Sequence, residues 1–297
     1  VESDRLIGFN VIVGGGMGMT FGDPATYPRL ADIIGFCTPE KVVEVAESIV
    51  TIQRDHGNRE NRKNARFKYT IDRFGLEWLK KELNARLGWG LQPAHEFKFT
   101  GNGDAYGWKK GNDDRWYFTL FVEGGRVKDQ KGHQLKSALR EIAGLELCDF
   151  RITGNQNLVL GRMDDAARQK VTGKLKKYGI GPHTQLSGLR KNSIACVALN
   201  TCSLAFAESE RYLPLLIDKA EPLLEKYGLT KDNITIRMTG CANGCGRPYL
   251  GEIGFVGRAP GVYNMYLGAG FSGERLNKLY LENLKEGQIL TELDKLF

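Results

Sequence analysis

Hydrophobic and polar positions along the 297-residue chain alternate between strand-like runs and helical stripes. Leu6–Val13 is an apolar run suited to a buried strand, broken by Gly14-Gly15-Gly16-Met17-Gly18. Thr38-Pro39-Glu40 predicts a helix start, with a hydroxyl at the cap and proline in the first turn. Val42, Val45, Ala46, Ile49 and Val50 then recur at helical spacing to about Gln53. Leu76, Leu79, Leu83 and Leu87 predict a second amphipathic helix ending near Gly88.

From Glu96 the texture changes. Trp116–Glu123 predicts a strand, Gly124-Gly125 a turn, Gln134–Ala143 a helix, Phe150–Thr153 and Leu158–Leu160 strands, and Asp164–Lys177 a helix. That order resembles part of a split βαβ, ferredoxin-like unit. Gly179–Lys191 shows no core pattern and is expected to be a linker. A helical region over about Ala205–Tyr227 is expected to be broken by Pro214 and Pro222. Strands are expected at Ile234–Met238, Gly254–Val256 and Tyr263–Leu267. The fold class is α+β, with a ferredoxin-like half-module at 93–183 between two mixed α/β segments at 1–92 and 184–297.

The apolar fraction of 41% and charged fraction of 26% are those of an ordinary globular chain. No apolar stretch approaches the roughly 20 residues that span a bilayer, so no membrane association is expected. Val1–Arg5 run straight into the first strand-like run, and the expectation is a sequence that begins inside a larger protein. A net charge of +7 favours an acidic partner, substrate or cofactor, although a generally basic surface would give the same number. The glycine-rich break does not match a dinucleotide loop. After Gly16-Met17-Gly18 come Met19-Thr20-Phe21, without the third glycine or a lysine–hydroxyl phosphate clamp.

The six cysteines are Cys37, Cys148, Cys196, Cys202, Cys241 and Cys245. With no secretory signal, a reducing compartment is expected rather than a disulfide framework. Cys196 and Cys202 are separated by five residues, Cys241 and Cys245 by three. Zinc knuckles favour two to four intervening residues, because both thiolates must reach one small ion. The wider first pair suits a larger object such as a cubane cluster. Spacing alone leaves iron–sulfur, structural zinc and unrelated core cysteines open. Glycines in Thr239-Gly240-Cys241-Ala242-Asn243-Gly244-Cys245-Gly246-Arg247 let backbone N–H groups approach cluster sulfur. Cys37 and Cys148 are expected to be small core residues.

A basic run, Arg54, Arg59, Arg62, Lys63, Arg66 and Lys68, could be a solvated helix face, a nucleic-acid patch or a cradle for a polyanion. Aromatic interleaving is thin and no nucleic-acid fold accompanies it, so no nucleic-acid partner is expected.

Cys-x5-Cys followed by Thr-Gly-Cys-x-Asn-Gly-Cys-Gly-Arg closely resembles the siroheme-dependent sulfite and nitrite reductase family. So do Gly8-Phe9-Asn10 with Val13–Gly16, Gln53–Arg59, Arg62–Thr70, and Phe150–Thr153 with Asn155–Leu158. The resemblance covers nearly the whole chain. It implies that Cys196, Cys202, Cys241 and Cys245 ligate a 4Fe–4S cluster, with Cys245 also bridging to the siroheme iron and so taking part directly in catalysis. It implies that the two outer segments enclose siroheme and cluster, and that Lys68, Arg66 and Asn243 contact the cofactors. Siroheme carries many carboxylates, for which arginine forks are suited. The implied reaction is a six-electron reduction of sulfite to sulfide, with nitrite as the rival substrate. Gly244 and Arg247 look more like the sulfite branch. Electrons would come from a NADPH-fed flavoprotein or a ferredoxin, in the cytoplasm. Family members are roughly twice as long, so a first half, in the same protein or a separate chain, is the expected partner. Ala242 stands where the family commonly has proline, with no ligand atom changed. His56 could shuttle protons or be a satisfied structural histidine.

Overall fold

The computed structural model describes residues 1, 5–181 and 183–297; part of the opening Val1–Arg5 run lies outside the described residues. Among the described residues three large hydrophobic cores follow one another along the chain, and a small fourth cluster of Ala242, Tyr249 and Val256 packs against Met17 and Met19. The first lies under an antiparallel pair, β1 (Phe9–Val13) with β2 (Asp32–Cys37), covered by α1 (Val42–His56), α2 (Phe67–Phe74) and α3 (Leu76–Leu87). Val45, Ile52, Leu79 and Leu83 face it at helical spacing. Strand β1 starts at Phe9, later than the apolar run suggested. Thr38 makes no side-chain cap; Pro39–Lys41 instead form a 3₁₀ turn leading into α1. Helix α3 ends where Gly88 takes a left-handed conformation, φ 72°, and its N–H reaches Asn84 O.

The second core belongs to a four-stranded antiparallel sheet. Its strands are β3 (Gly107–Lys110), β4 (Trp116–Leu120), β7 (Asp149–Ile152) and β8 (Leu158–Met163), in the order β3-β4-β8-β7. A short hairpin of β5 (Asp129–Gln130) and β6 (His133–Gln134) precedes α4 (Leu135–Ala143), and α5 (Asp165–Lys177) follows β8. Strand β8 lies between β4 and β7, which is the split βαβ arrangement. Asp164 caps α5 by accepting from Ala167 N at 2.8 Å. Strand β4 stops at Leu120, short of Glu123, because Glu123–Gly125 turn with Gly124 and Gly125 at φ 59° and 70°.

The expected linker is structured. After a 3₁₀ turn at His183–Gln185 comes α6 (Gly188–Asn192), capped by Ser187 Oγ accepting from Arg190 N at 3.0 Å. Leu189 is fully buried in the third core. One leucine in so short a helix leaves no periodic signature, which is why the pattern read as linker.

The third core lies between a five-stranded sheet and two helices. The sheet comprises β9 (Ile194–Ala195), β10 (Ile236–Thr239), β11 (Ile253–Ala259), β12 (Val262–Leu267) and β13 (Lys278–Leu284), ordered β13-β12-β11-β10-β9. Strands β9, β10 and β11 are parallel; β12 and β13 run antiparallel. The helices are α7 (Leu213–Tyr227) and α8 (Glu286–Leu296). The prolines do not divide α7. Pro214 sits in the first turn, where no N–H is required, and Pro222 lies inside a continuous helix. Leu216, Ile217, Ala220 and Leu224 bury against the sheet, and this burial outweighs the single intrahelical bond lost.

The second and third cores are joined at the edge of the third sheet. Gln156 Nε2 donates to Ala195 O at 2.6 Å and Gln156 Oε1 accepts from Ala195 N at 3.3 Å, so one side chain completes edge strand β9. Arg190 gathers Glu221, Asp218 and Glu123, and Arg126 pairs with Glu210.

Candidate metal centre

Two adjacent parallel strands end at the same rim, and each delivers a cysteine loop there. Strand β9 runs directly into Cys196, and β10 into Thr239-Gly240-Cys241. Loops beyond the C-terminal ends of parallel strands are where such sheets place ligands. The first loop is folded onto the second. Phe206 N and Ala207 N donate to Gly240 O at 2.8 and 3.2 Å, and Cys202 N to Ala198 O at 2.7 Å. Cys196 N donates to Met238 O at 3.1 Å, and Glu210 N to Cys196 O at 3.0 Å. Glycine is required at this crossing. A Cβ on Gly240 would stand 2.7 Å from both Ala198 Cβ and Ala207 O, and one on Gly246 only 2.2 Å from Met238 O.

Sulfur is already a hydrogen-bond acceptor here. Gly240 N donates to Cys196 Sγ at 3.2 Å and Thr239 Oγ1 at 3.4 Å, the polar support that tunes thiolate ligands. Burial pushes the Cys241 thiol up, and Cys196, Cys245 and Cys202 each push it further. The Cys241 thiol therefore lies within electrostatic reach of the other three, and all four are free. Cys241 is buried, Cys196 and Cys202 are half-buried, and Cys245 is exposed. Among the described residues, no three histidine, cysteine or carboxylate side chains meet closely enough to hold a single metal ion. Four soft thiol donors on two loops, one loop with a wide internal spacing, fit the chemistry of an iron–sulfur cluster.

The N-terminal segment packs against these loops. Met19 N donates to Ala242 O at 3.1 Å, and a Cβ on Gly244 would stand 3.0 Å from Met17 O. A cavity of about 480 Å³ opens beside the second cysteine pair, lined among others by Met19, Phe21, Phe206, Cys241, Asn243 and Arg258. Met17, Met19 and Phe21 had not been read as site residues. Their one signal is their place in the glycine-rich break, for Met17, and directly after it, for Met19 and Phe21. Another cavity, about 440 Å³ and lined by His133, His183 and Arg190, includes none of the four cysteines.

The remaining candidates divide. Lys68, expected to contact a cofactor, directs its ammonium to backbone carbonyls of the glycine-rich segment and Tyr27. The residue is 1% exposed, and Nζ donates to Gly16 O at 3.2 Å, Gly18 O at 2.9 Å and Tyr27 O. All three N–H bonds are spent on backbone. Burial pushes its pKa down to about 8, so it remains mostly a cation at neutral pH. Lys68→Met would leave three carbonyls short of a donor. We expect a loss of about 3 kcal/mol or more, read as a lowered unfolding midpoint and proteolytic opening of the segment between Gly14 and Tyr27. Arg66 is exposed, and its guanidinium lies where a Cβ of Gly18 would be, 1.9 Å from Nη1. Lys63 pairs with Asp23 at 3.3 Å. His56 is used structurally, 3.4 Å from Glu82 and edge-on to Phe74 and Trp78. Cys37 is buried in the first core and Cys148 packs against the second.

Comparison with known proteins matches residues 1–91 to the nitrite and sulphite reductase 4Fe-4S domain. This stretch holds the basic run but none of the cysteines of the rim. The whole chain is 57% identical over 296 residues to the sulfite reductase [NADPH] hemoprotein beta-component of Bacillus pumilus. It is likewise 57% identical over 293 residues to that of Bacillus subtilis. This chain belongs to the nitrite and sulphite reductase family. It spans about half the length of these relatives, 52% and 51%. The Mycobacterium tuberculosis NirA protein shares the fold of this family member, with a TM-score of 0.79 at 23% identity. That match covers 97% of this chain and 53% of NirA.

Proposed function

We propose that this chain is the cluster- and siroheme-bearing half of an assimilatory sulfite reductase, acting in the six-electron reduction of sulfite to sulfide. One observation carries the reading: adjacent parallel strands deliver Cys196, Cys202, Cys241 and Cys245 to one rim, with Thr239 and Gly240 donating to sulfur. Bound there, a 4Fe–4S cluster and a siroheme supply single-electron transfer and an open iron face for the oxyanion. The chain's part is to hold and orient. Cys241 is locked in the buried loop, while Cys245, the exposed thiol, is free to be shared with a second group. The Arg66 guanidinium is free to fork onto a macrocycle carboxylate. Asn243, in the cavity wall, offers its amide to a carboxylate or the cluster edge. Lys68 fixes the glycine-rich segment on which Arg66 rests.

The names of the relatives and the residues Gly244 and Arg247 favour sulfite over nitrite. The relatives' names also favour a NADPH-fed flavoprotein as electron donor. The other half of the protein is the expected partner, and the cytoplasm the expected location. Among the described residues, no helix is long and apolar enough to cross a membrane.

The full-length protein should show a siroheme visible spectrum, with iron and acid-labile sulfide in a ratio of about five to four. A colourless zinc protein would overturn the proposal. Arg66→Ala should lower siroheme occupancy while cluster iron stays, since a lost charge-assisted bond costs about 1.5–3 kcal/mol. Unchanged occupancy would return Arg66 to the solvated surface.

A further inference from the structure

Two guanidinium groups, that of buried Arg237 and that of half-buried Arg247, lie near the cysteine loops without an ion pair, and among the described residues the one carboxylate whose charge acts on Arg247 is Asp104. Arg237 is 3% exposed. It lies in β10, in register with Ile194 and Gly254. Ile236 and Met238 face the helices, so Arg237 and Thr239 share the opposite face. Neither Nε nor Nη1 of Arg237 has a hydrogen-bond partner among the described residues. Arg247, two residues past the last cysteine, donates Nη2 only to neutral acceptors, Gly154 O at 2.8 Å and Asn155 Oδ1 at 3.2 Å. No ion pair is formed by either arginine among the described residues.

Arg190, elsewhere in this chain, is treated differently. It is surrounded by Glu123, Asp218 and Glu221, and these hold its pKa above the ordinary value. Arg237, with burial and the Arg247 charge against it, is pushed down to about 10. It is still a cation at neutral pH. A buried cation without a counter-charge is expensive, so the fold needs an anion close by.

The cysteine rim is where an anion belongs. Thr239, whose hydroxyl donates to Cys196 Sγ, is two residues beyond Arg237 on the same face, roughly 6.6 Å along the strand. Four thiolates around a 4Fe–4S core carry net negative charge, and each electron accepted adds one more. A fixed cation at short range in a poorly solvated interior favours the more negative state.

We propose that Arg237, assisted by Arg247, is the fixed positive charge that raises the reduction potential of the cluster held by the four cysteines. It acts through space, without touching the reacting atoms, and is a positioning residue in the electrostatic sense. The inference rests on the reading that the cysteines hold such a cluster. Its rival is an acidic side chain from the other half of the protein that pairs with Arg237 and cancels its charge.

The test uses the full-length protein with its cofactors. Arg237→Gln, Arg237→Lys and Arg247→Gln are compared with Arg151→Gln, which removes an exposed charge paired with Asp149 on the second sheet. Iron and sulfide are counted first, then the cluster midpoint potential is read by dye-mediated titration with magnetic detection. Arg237→Gln and Arg247→Gln should shift the potential to more negative values. Arg237→Lys should stay near the parent protein, and Arg151→Gln should not move. A full cluster at the parent potential in Arg237→Gln overturns the proposal, as does an equal shift in the lysine and glutamine variants. Should Arg237→Gln fail to fold, an unshifted Arg247→Gln overturns it instead. Parent protein lacking iron and sulfide would overturn the cluster reading itself, a separate outcome.

Discussion

In Cys245→Ser, whatever cluster survives is expected to be electronically separated from the siroheme, while in Cys196→Ser any surviving cluster remains joined to it. All four positions should lose cluster iron on change to serine, because a hydroxyl is a harder and poorer ligand for iron than a thiolate. The positions differ in their surroundings. Cys196 Sγ accepts from Gly240 N and Thr239 Oγ1, and Cys241 is buried. Cys245 is exposed at the end of its loop, so its thiolate can serve two centres. The siroheme spectrum should change in Cys245→Ser because axial ligand identity strongly affects a haem-type iron. Magnetic spectroscopy of the two variants makes the comparison. Coupling that persists in Cys245→Ser and disappears in an intact-cluster Cys241→Ser would assign the bridge to another thiolate.

The cysteine loops could be read from the chain because their information is local. Spacing and glycine content suffice to suggest a wide thiol site, and Ile234–Met238 alternates strongly enough to place a strand before it. Amphipathic helices α1 and α3 were equally open to reading, from apolar residues at helical spacing and, for α3, the stop at Gly88. What failed was non-local. The partners of Lys68, Gly16, Gly18 and Tyr27, lie 41 to 52 residues away in sequence. Resemblance singles out Arg66 and Lys68 from the basic run, but nothing local marks that Lys68 is buried while the other five cations of the run are exposed. Arg237 misled in the opposite direction. In Ile-Arg-Met-Thr it has the alternation of a half-exposed strand, yet it is as buried as its neighbours. Strand β13 passed unnoticed because six of its seven positions are exposed or half-buried, so no polarity pattern marks it. Helix α7 was read as broken because proline is costly inside a helix. Its apolar face, buried in the third core, outweighs that cost.

Gly246→Ala is expected to dismantle the metal centre without touching a ligand atom. The added methyl would stand 2.2 Å from Met238 O and 3.1 Å from Cys196 N. Both are backbone atoms, and they are the donor and acceptor of the 3.1 Å bond that ties Cys196 to β10. No side chain can swing aside to make room. Either the Cys245–Arg247 turn lifts from the sheet, or β9 separates from β10. Lifting the turn moves Cys245 and breaks the Arg247 contacts to Gly154 and Asn155. Separating the strands moves Cys196 and strains the Gln156 seal on the edge of β9. Overpacking of this kind costs about 1–3 kcal/mol when the structure can relax, and backbone contact on both sides puts this site at the upper end. Because each route displaces a thiol, cluster iron should fall more steeply than the unfolding midpoint. Gly144→Ala supplies the contrast, since its Cβ would meet nothing closer than 3.6 Å. Iron and sulfide counts beside thermal unfolding of both variants decide the matter. Full cluster content in Gly246→Ala would mean that the crossing of the Cys245–Arg247 turn over β9 and β10 is not what holds the thiols in register.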